Sequence, residues 1–94
     1  MEGGMPHAAY ASPIGQYLGE VLREWREARG WKRIDLQRAT GVWHTTIADI
    51  EKGTSNGNND RLDRLCIALG HDLAELFTEA VRRRDRAVAP PPRP

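Results

Sequence analysis

The sequence predicts an all-α fold of five short helices, and two observations carry that prediction. Apolar residues recur three and four positions apart in successive stretches, the interval that gathers side chains on one face of a helix. Glycines at 30, 41, 53 and 70 then follow four of those stretches, where a left-handed residue can stop a helix.

The first helix begins at Ser12-Pro13, with Ser as N-cap and Pro at the first helical position, where its missing N–H costs nothing. Ile14, Tyr17, Leu18, Val21, Leu22 and Trp25 form its apolar stripe, with Arg23, Glu24 and Glu27 off it. Gly15 and Gly19 each lower its intrinsic stability by roughly 1 kcal/mol relative to Ala, and such glycines can mark close packing. The second helix carries Leu36 and Thr40 on one face, with Trp31 at staple spacing if Lys32 is the N-cap. Lysine has no acceptor for free backbone N–H groups, an omission that Asp35 in the first turn offsets through the helix dipole. Val42 plugs the angle before the third helix, whose Ile47 and Ile50 face inward. Trp43 is its nominal N-cap and cannot cap, leaving the Thr45 or Thr46 hydroxyl as a candidate substitute. Asn58 caps a fourth helix bearing Leu62, Leu65, Cys66 and Leu69. Asp72 and Glu75 make a capping box for a fifth, with Leu73, Leu76, Phe77, Ala80 and Val81 as its stripe. Arg82, Arg83, Arg84 and Arg86 fall in its last turns. They complement the carbonyl end there, or else grip an acidic partner or flanking DNA.

Residues 1–11 lack an apolar period and read as a flexible N-terminal tail; 12–86 form the domain; 87–94 are a Pro-rich tail suited to extended geometry. About 70 ordered residues suffice for a modest helical core but not for a buried active-site cavity as well. No nucleophile–base set, carboxylate pair or phosphate-cradling glycine loop is present, so no enzyme and no cofactor is expected. His7 and His71 lack neighbouring ligands, and the lone Cys66 excludes an intrachain disulfide or a multi-thiolate zinc site. No stretch approaches a membrane span and no leader-like segment opens the chain, so a cytoplasmic protein is the simplest expectation. The net charge is +1; any attraction to nucleic acid must come from local charge rather than a global field.

Ile34 to Gly53 has the spacing of a helix-turn-helix, motif residues about 33–53, whose second helix can lie in the major groove of DNA. Further landmarks lie at matching intervals: R-x-x-R-G-W (Arg26 to Trp31), G-V at the turn, I-x-x-I-E-K-G (Ile47 to Gly53), A-L-G (Ala68 to Gly70) and L-x-E-L-F (Leu73 to Phe77). In these residues the chain resembles the phage-repressor family, the Cro/lambda-repressor-like or xenobiotic-response-element group, from about Ile14 to Phe77. The resemblance implies a five-helix DNA-binding domain, operator binding as a dimer, no catalysis, and an internal Arg26–Glu51 ion pair. The chain departs from the family at Lys32 and Trp43, where a hydroxyl is preferred, and at Arg33, where Gln is preferred. It departs again at Gln37, normally a small Ala, and at Asp49, often Arg, Gln or Asn. Gln37 must turn its stem outward or widen the angle between the two helices.

With Ile47 and Ile50 inward, a 100° advance per residue turns Thr45, Ala48, Asp49 and Lys52 outward, with His44 at the edge. By resemblance His44, Thr45 and Asp49 take the base-contacting positions. His44 can donate to guanine, the Thr45 methyl can meet a thymine methyl, and Asp49 can accept from cytosine N4. Alternatively Asp49 is a solvated residue paired with Lys52. Arg33 beside the free N–H groups of its helix is a natural phosphate site. Lys52, Thr54, Ser55 and Asn56 supply donors after the recognition helix, and Trp43 and Thr46 at its start complete the expected backbone-contacting set. Trp43 has two other readings, a ring laid over Val42 or a protein-facing anchor.

The expected function is therefore a sequence-specific regulator of transcription, a repressor by resemblance, binding double-stranded DNA at a near-palindromic operator as a homodimer. The candidate dimer surface is the region from His71 through the fifth helix. The competing expectation is a protein-interaction module or antitoxin-like adaptor, with a protein partner, on the same fold.

Overall fold

In a computed structural model, described over residues 14–55 and 57–87, the apolar runs wind into five helices with no strand among the described residues. They are α1 (Ile14–Ala28), α2 (Arg33–Thr40), α3 (His44–Lys52), α4 (Asn59–Ala68) and α5 (Leu73–Ala87). The expected Ser12-Pro13 helix start, Asn56, His7, the N-terminal tail and residues 88–94 lie outside the described residues.

The core follows the spacing. Leu18, Val21 and Leu22 of α1 meet Leu36, Ile47, Ile50, Leu65 and Leu76, all buried, with Cys66 and Ala80 among them. Tyr17, Trp25, Leu73 and Phe77 sit half-buried at the margin of that cluster. α1 packs chiefly against α5 and α3, while α2 packs on α3 and α4. Gly19 makes the α1–α3 crossing close: a Cβ there would overlap the Ile50 carbonyl and lie 2.8 Å from that of Glu51. The glycine that weakens α1 as an isolated helix lets two backbones touch.

Gly41, at φ 80°, ends α2 and donates to the Gln37 carbonyl at 2.7 Å. Thr40 is more than a core contact: its hydroxyl donates to Leu36 O at 2.7 Å and accepts from Val42 N–H at 3.1 Å, stitching the turn shut. Val42 is buried in the angle, as its position predicts. The caps of α4 and α5 also form as expected. Asn58 accepts from Arg61 N–H, and Asp72 and Glu75 exchange reciprocal bonds of 2.7 and 3.0 Å. At Lys32 the compensation is more direct than a dipole effect, because the Asp35 carboxylate accepts from the Lys32 backbone N–H at 2.8 Å.

Three of the four C-terminal arginines are engaged in ion pairs, and Arg86 is exposed. Arg83, with its side chain 19% exposed, is bound by Glu20 and Glu24 of α1 and by Glu79 of its own helix. Arg82 pairs with Glu79 and Arg84 with Asp85. Arg83 therefore ties α5 to α1 rather than reaching toward a partner. Cys66 is buried, and burial pushes its thiol up to about 12, so it behaves as a small apolar residue.

Candidate nucleic-acid interface

Ile47 and Ile50, each 1% exposed, fix the rotation of α3 about its axis. On the opposite side His44, Thr45, Asp49 and Lys52 are exposed, while Thr46 and Ala48 are half-buried. Thr45, Asp49 and Lys52 lie where a helical advance from the two isoleucines assigns them, whereas Ala48, expected outward, is half-buried and His44, expected at the edge, is exposed. No ion pair joins Asp49 to Lys52 among the described residues, so the carboxylate faces outward without that neighbour.

The start of α3 is held in a way the sequence did not announce. Trp43 occupies the N-cap position with extended backbone and makes no side-chain cap bond. Neither threonine hydroxyl substitutes for it. Instead Gln37, on α2, turns its side chain across the turn, and its Oε1 lies 2.8 Å from both the backbone N–H and the ring Nδ1 of His44. A bulky polar residue, where the resemblance implies a small one, thus takes up a free N–H of α3. Two departures six residues apart, an acceptor at 37 and a capless Trp at 43, were the available signal. Trp43 itself is 64% exposed, its ring meeting His44 edge-on at 6.2 Å.

The other end of α3 is anchored by charge. Glu51, its side chain 1% exposed, accepts from Arg26 at 2.7 and 3.0 Å, the ion pair the resemblance implies. Arg26 also donates to the Trp31 carbonyl at 2.8 Å, and the Glu51 hydrogen bonds raise its pKa against the opposing effect of burial. Arg33 joins the same carboxylate through Nε at 2.9 Å. Expected as a phosphate site, Arg33 is tied into this ion pair: its side chain is 37% exposed but tethered at the start of α2.

In the loop after α3, the Thr54 hydroxyl donates to the Asp49 carbonyl at 3.1 Å, so its proton is already engaged. Ser55 Oγ accepts from Gly57 N–H, which leaves its own hydroxyl proton available. Lys52 is exposed beside them. The surface therefore gathers His44, Thr45 and Asp49 with Lys52, Arg33 and Ser55 around one exposed helix. No group of three or more His, Cys, Asp or Glu able to hold a metal occurs among the described residues. His71 stacks on Trp25, ring centroids 3.7 Å apart and nearly parallel, and contacts Glu75.

Comparison with known proteins gives this geometry a family context. Residues 17–77 match a helix-turn-helix domain family. An HTH-type transcriptional regulatory protein of Halorubrum lacusprofundi is 33% identical over 79 residues, covering 81% of this chain and 22% of that protein. The ImmF control region 10 kDa protein of Bacillus phage phi105 is 29% identical over 59 residues, covering 63% of this chain and 66% of the phage protein. Among solved structures, the clp gene regulator ClgR from Corynebacterium glutamicum superposes with a TM-score of 0.76 at 26% identity, covering 81% of each chain. The chain thus spans about a fifth of the length of the Halorubrum protein.

Proposed function

The chain belongs to the helix-turn-helix domain family, and on that premise we propose that it is a sequence-specific DNA-binding regulator of transcription. In this reading α3 enters the major groove of a near-palindromic operator, and two copies bind its half-sites as a homodimer. The observation that carries it is the exposure of His44, Thr45 and Asp49 on a helix locked from beneath by Ile47 and Ile50. Arg33, Lys52, Ser55 and Thr54, with Asn56 beyond the described residues and Trp43 and Thr46 at the helix start, contact the phosphate backbone. Thr54 does so only by giving up its bond to Asp49 O.

Residues 12–86 act as the DNA-binding unit, with the segments 1–11 and 87–94 outside it. The reading involves no catalysis and a location where DNA is accessible, the cytoplasm; no described helix is long and apolar enough to cross a membrane. The resemblance to phage repressors favours repression over activation. Phe77 and Val81, on one side of α5, line the shallow apolar groove that best suits a second copy of the chain. An adaptor role remains the second reading, favoured by the exposed Trp43 and Ile67.

Selection from randomised duplex DNA, followed by affinity measurement against salt, tests the proposal. A regulator enriches an inverted repeat, and its log affinity falls linearly with log salt as phosphate counterions are released. An adaptor enriches no site and binds DNA weakly even at low salt.

A further inference from the structure

The contact between Gln37 and His44 determines more than how α3 starts. Oε1 of Gln37 receives the His44 backbone N–H at 2.8 Å, and an amide nitrogen could not accept that proton. The atom 2.8 Å from His44 Nδ1 is therefore the oxygen, irrespective of how the side-chain amide would otherwise be assigned. An oxygen without a proton of its own makes a hydrogen bond to Nδ1 only if Nδ1 carries the hydrogen. In the neutral ring the other nitrogen, Nε2, is then a bare acceptor. His44 is exposed at the first position of α3, where a recognition helix meets base edges.

We propose that Gln37 fixes the His44 proton on Nδ1, so that Nε2 reads an exocyclic amino group in the major groove, adenine N6 or cytosine N4. The inference rests on the DNA-binding reading above and sharpens it. Guanine presents only the acceptors N7 and O6 in that groove, and thymine an acceptor and a methyl group. Neither can donate to a bare Nε2. The guanine contact that an unconstrained histidine could make is thus disfavoured for the neutral ring, and Gln37 becomes a positioning residue for specificity without touching DNA itself.

Two measurements on the full chain test this, both at about pH 8, where an ordinary imidazole is neutral. Long-range proton–nitrogen NMR of the free protein reads the tautomer directly. His44 should show a protonated Nδ1 and an unprotonated Nε2. Gln37→Glu, which keeps an acceptor, should preserve this pattern, and Gln37→Ala should shift the ring toward the Nε2–H form.

Selection from random duplexes with wild-type protein and His44→Ala then identifies the base position that depends on His44. That position should hold adenine or cytosine, and the selected base says which. Replacing it by the analogue lacking the exocyclic amino group should weaken wild-type binding about tenfold and leave His44→Ala unaffected. Gln37→Glu should retain the preference and Gln37→Ala lose it. A ring protonated on Nε2, or guanine at the dependent position, overturns the inference while leaving DNA binding intact. An Nδ1-protonated ring in a protein that enriches no operator overturns the DNA-binding reading itself, and the base preference with it.

Discussion

Glu51 takes three guanidinium hydrogen bonds, two from Arg26 and one from Arg33, while its side chain is almost wholly withdrawn from water. Arg26 is nearly as buried, at 8% side-chain exposure, so neither charge is tolerated without the other. Glu51→Gln, which keeps the shape and removes the charge, should destabilise the domain by about 3–5 kcal/mol in urea unfolding. A cost below about 1 kcal/mol would mean that Arg26 finds other partners. Arg33 belongs to the same cluster but is far more exposed. Arg33→Ala should therefore cost little stability, about 1 kcal/mol or less, while lowering DNA affinity on every sequence alike.

At the scale of the element, α3 is a nine-residue helix held by interactions at each end and by two isoleucines beneath. Gln37 satisfies the N–H of His44 but leaves the next N–H groups without a side-chain cap, since the N-cap residue is Trp43. Trp43→Ser should accordingly stabilise the domain by about 0.5–1 kcal/mol, read as a raised midpoint with unchanged slope in denaturant unfolding. No gain would indicate that the tryptophan packs more productively than its exposure suggests. The five helices, their glycine stops and the outward face of α3 were legible in the sequence, because apolar intervals of three and four fix which side of a helix is buried. Asp72 and Glu75 were legible for a similar reason: a capping box is local, its partners three residues apart. Gln37 and Arg83 were not. Gln37 acts across the turn on a neighbouring helix, and Arg83 reaches glutamates 59 and 63 residues away, so their partners exist only once the helices have packed. The outward face of Asp49 was likewise readable, whereas the sharing of Arg33 with Glu51 depends on how α2 lies over α3.

Across the whole molecule, Arg83 joins the two long helices, α1 and α5. Its hydrogen bonds hold Glu24 and Glu79 below the ordinary carboxylate value of 4.5. A carboxylate whose pKa is lowered on folding contributes stability above its unfolded value and loses it as pH falls through the folded one. Acidification from about pH 7 to about pH 3 should therefore lower the wild-type melting temperature more than that of Arg83→Met, which never had this contribution. An equal drop in both proteins would show that the α1–α5 link adds nothing measurable.

The proposed function places DNA recognition on a single outward surface, and Asp49 offers its sharpest test because a carboxylate repels phosphate yet can accept from a base. The most direct measurement is the complete base-preference profile of the selected operator for wild-type protein, Asp49→Ala and Arg33→Ala. The expected result is a changed preference at one position in each half-site for Asp49→Ala, and a uniform loss of affinity with an unaltered profile for Arg33→Ala. A profile unchanged by Asp49→Ala would remove that side chain from base recognition and contradict the assignment of α3 as the reading helix.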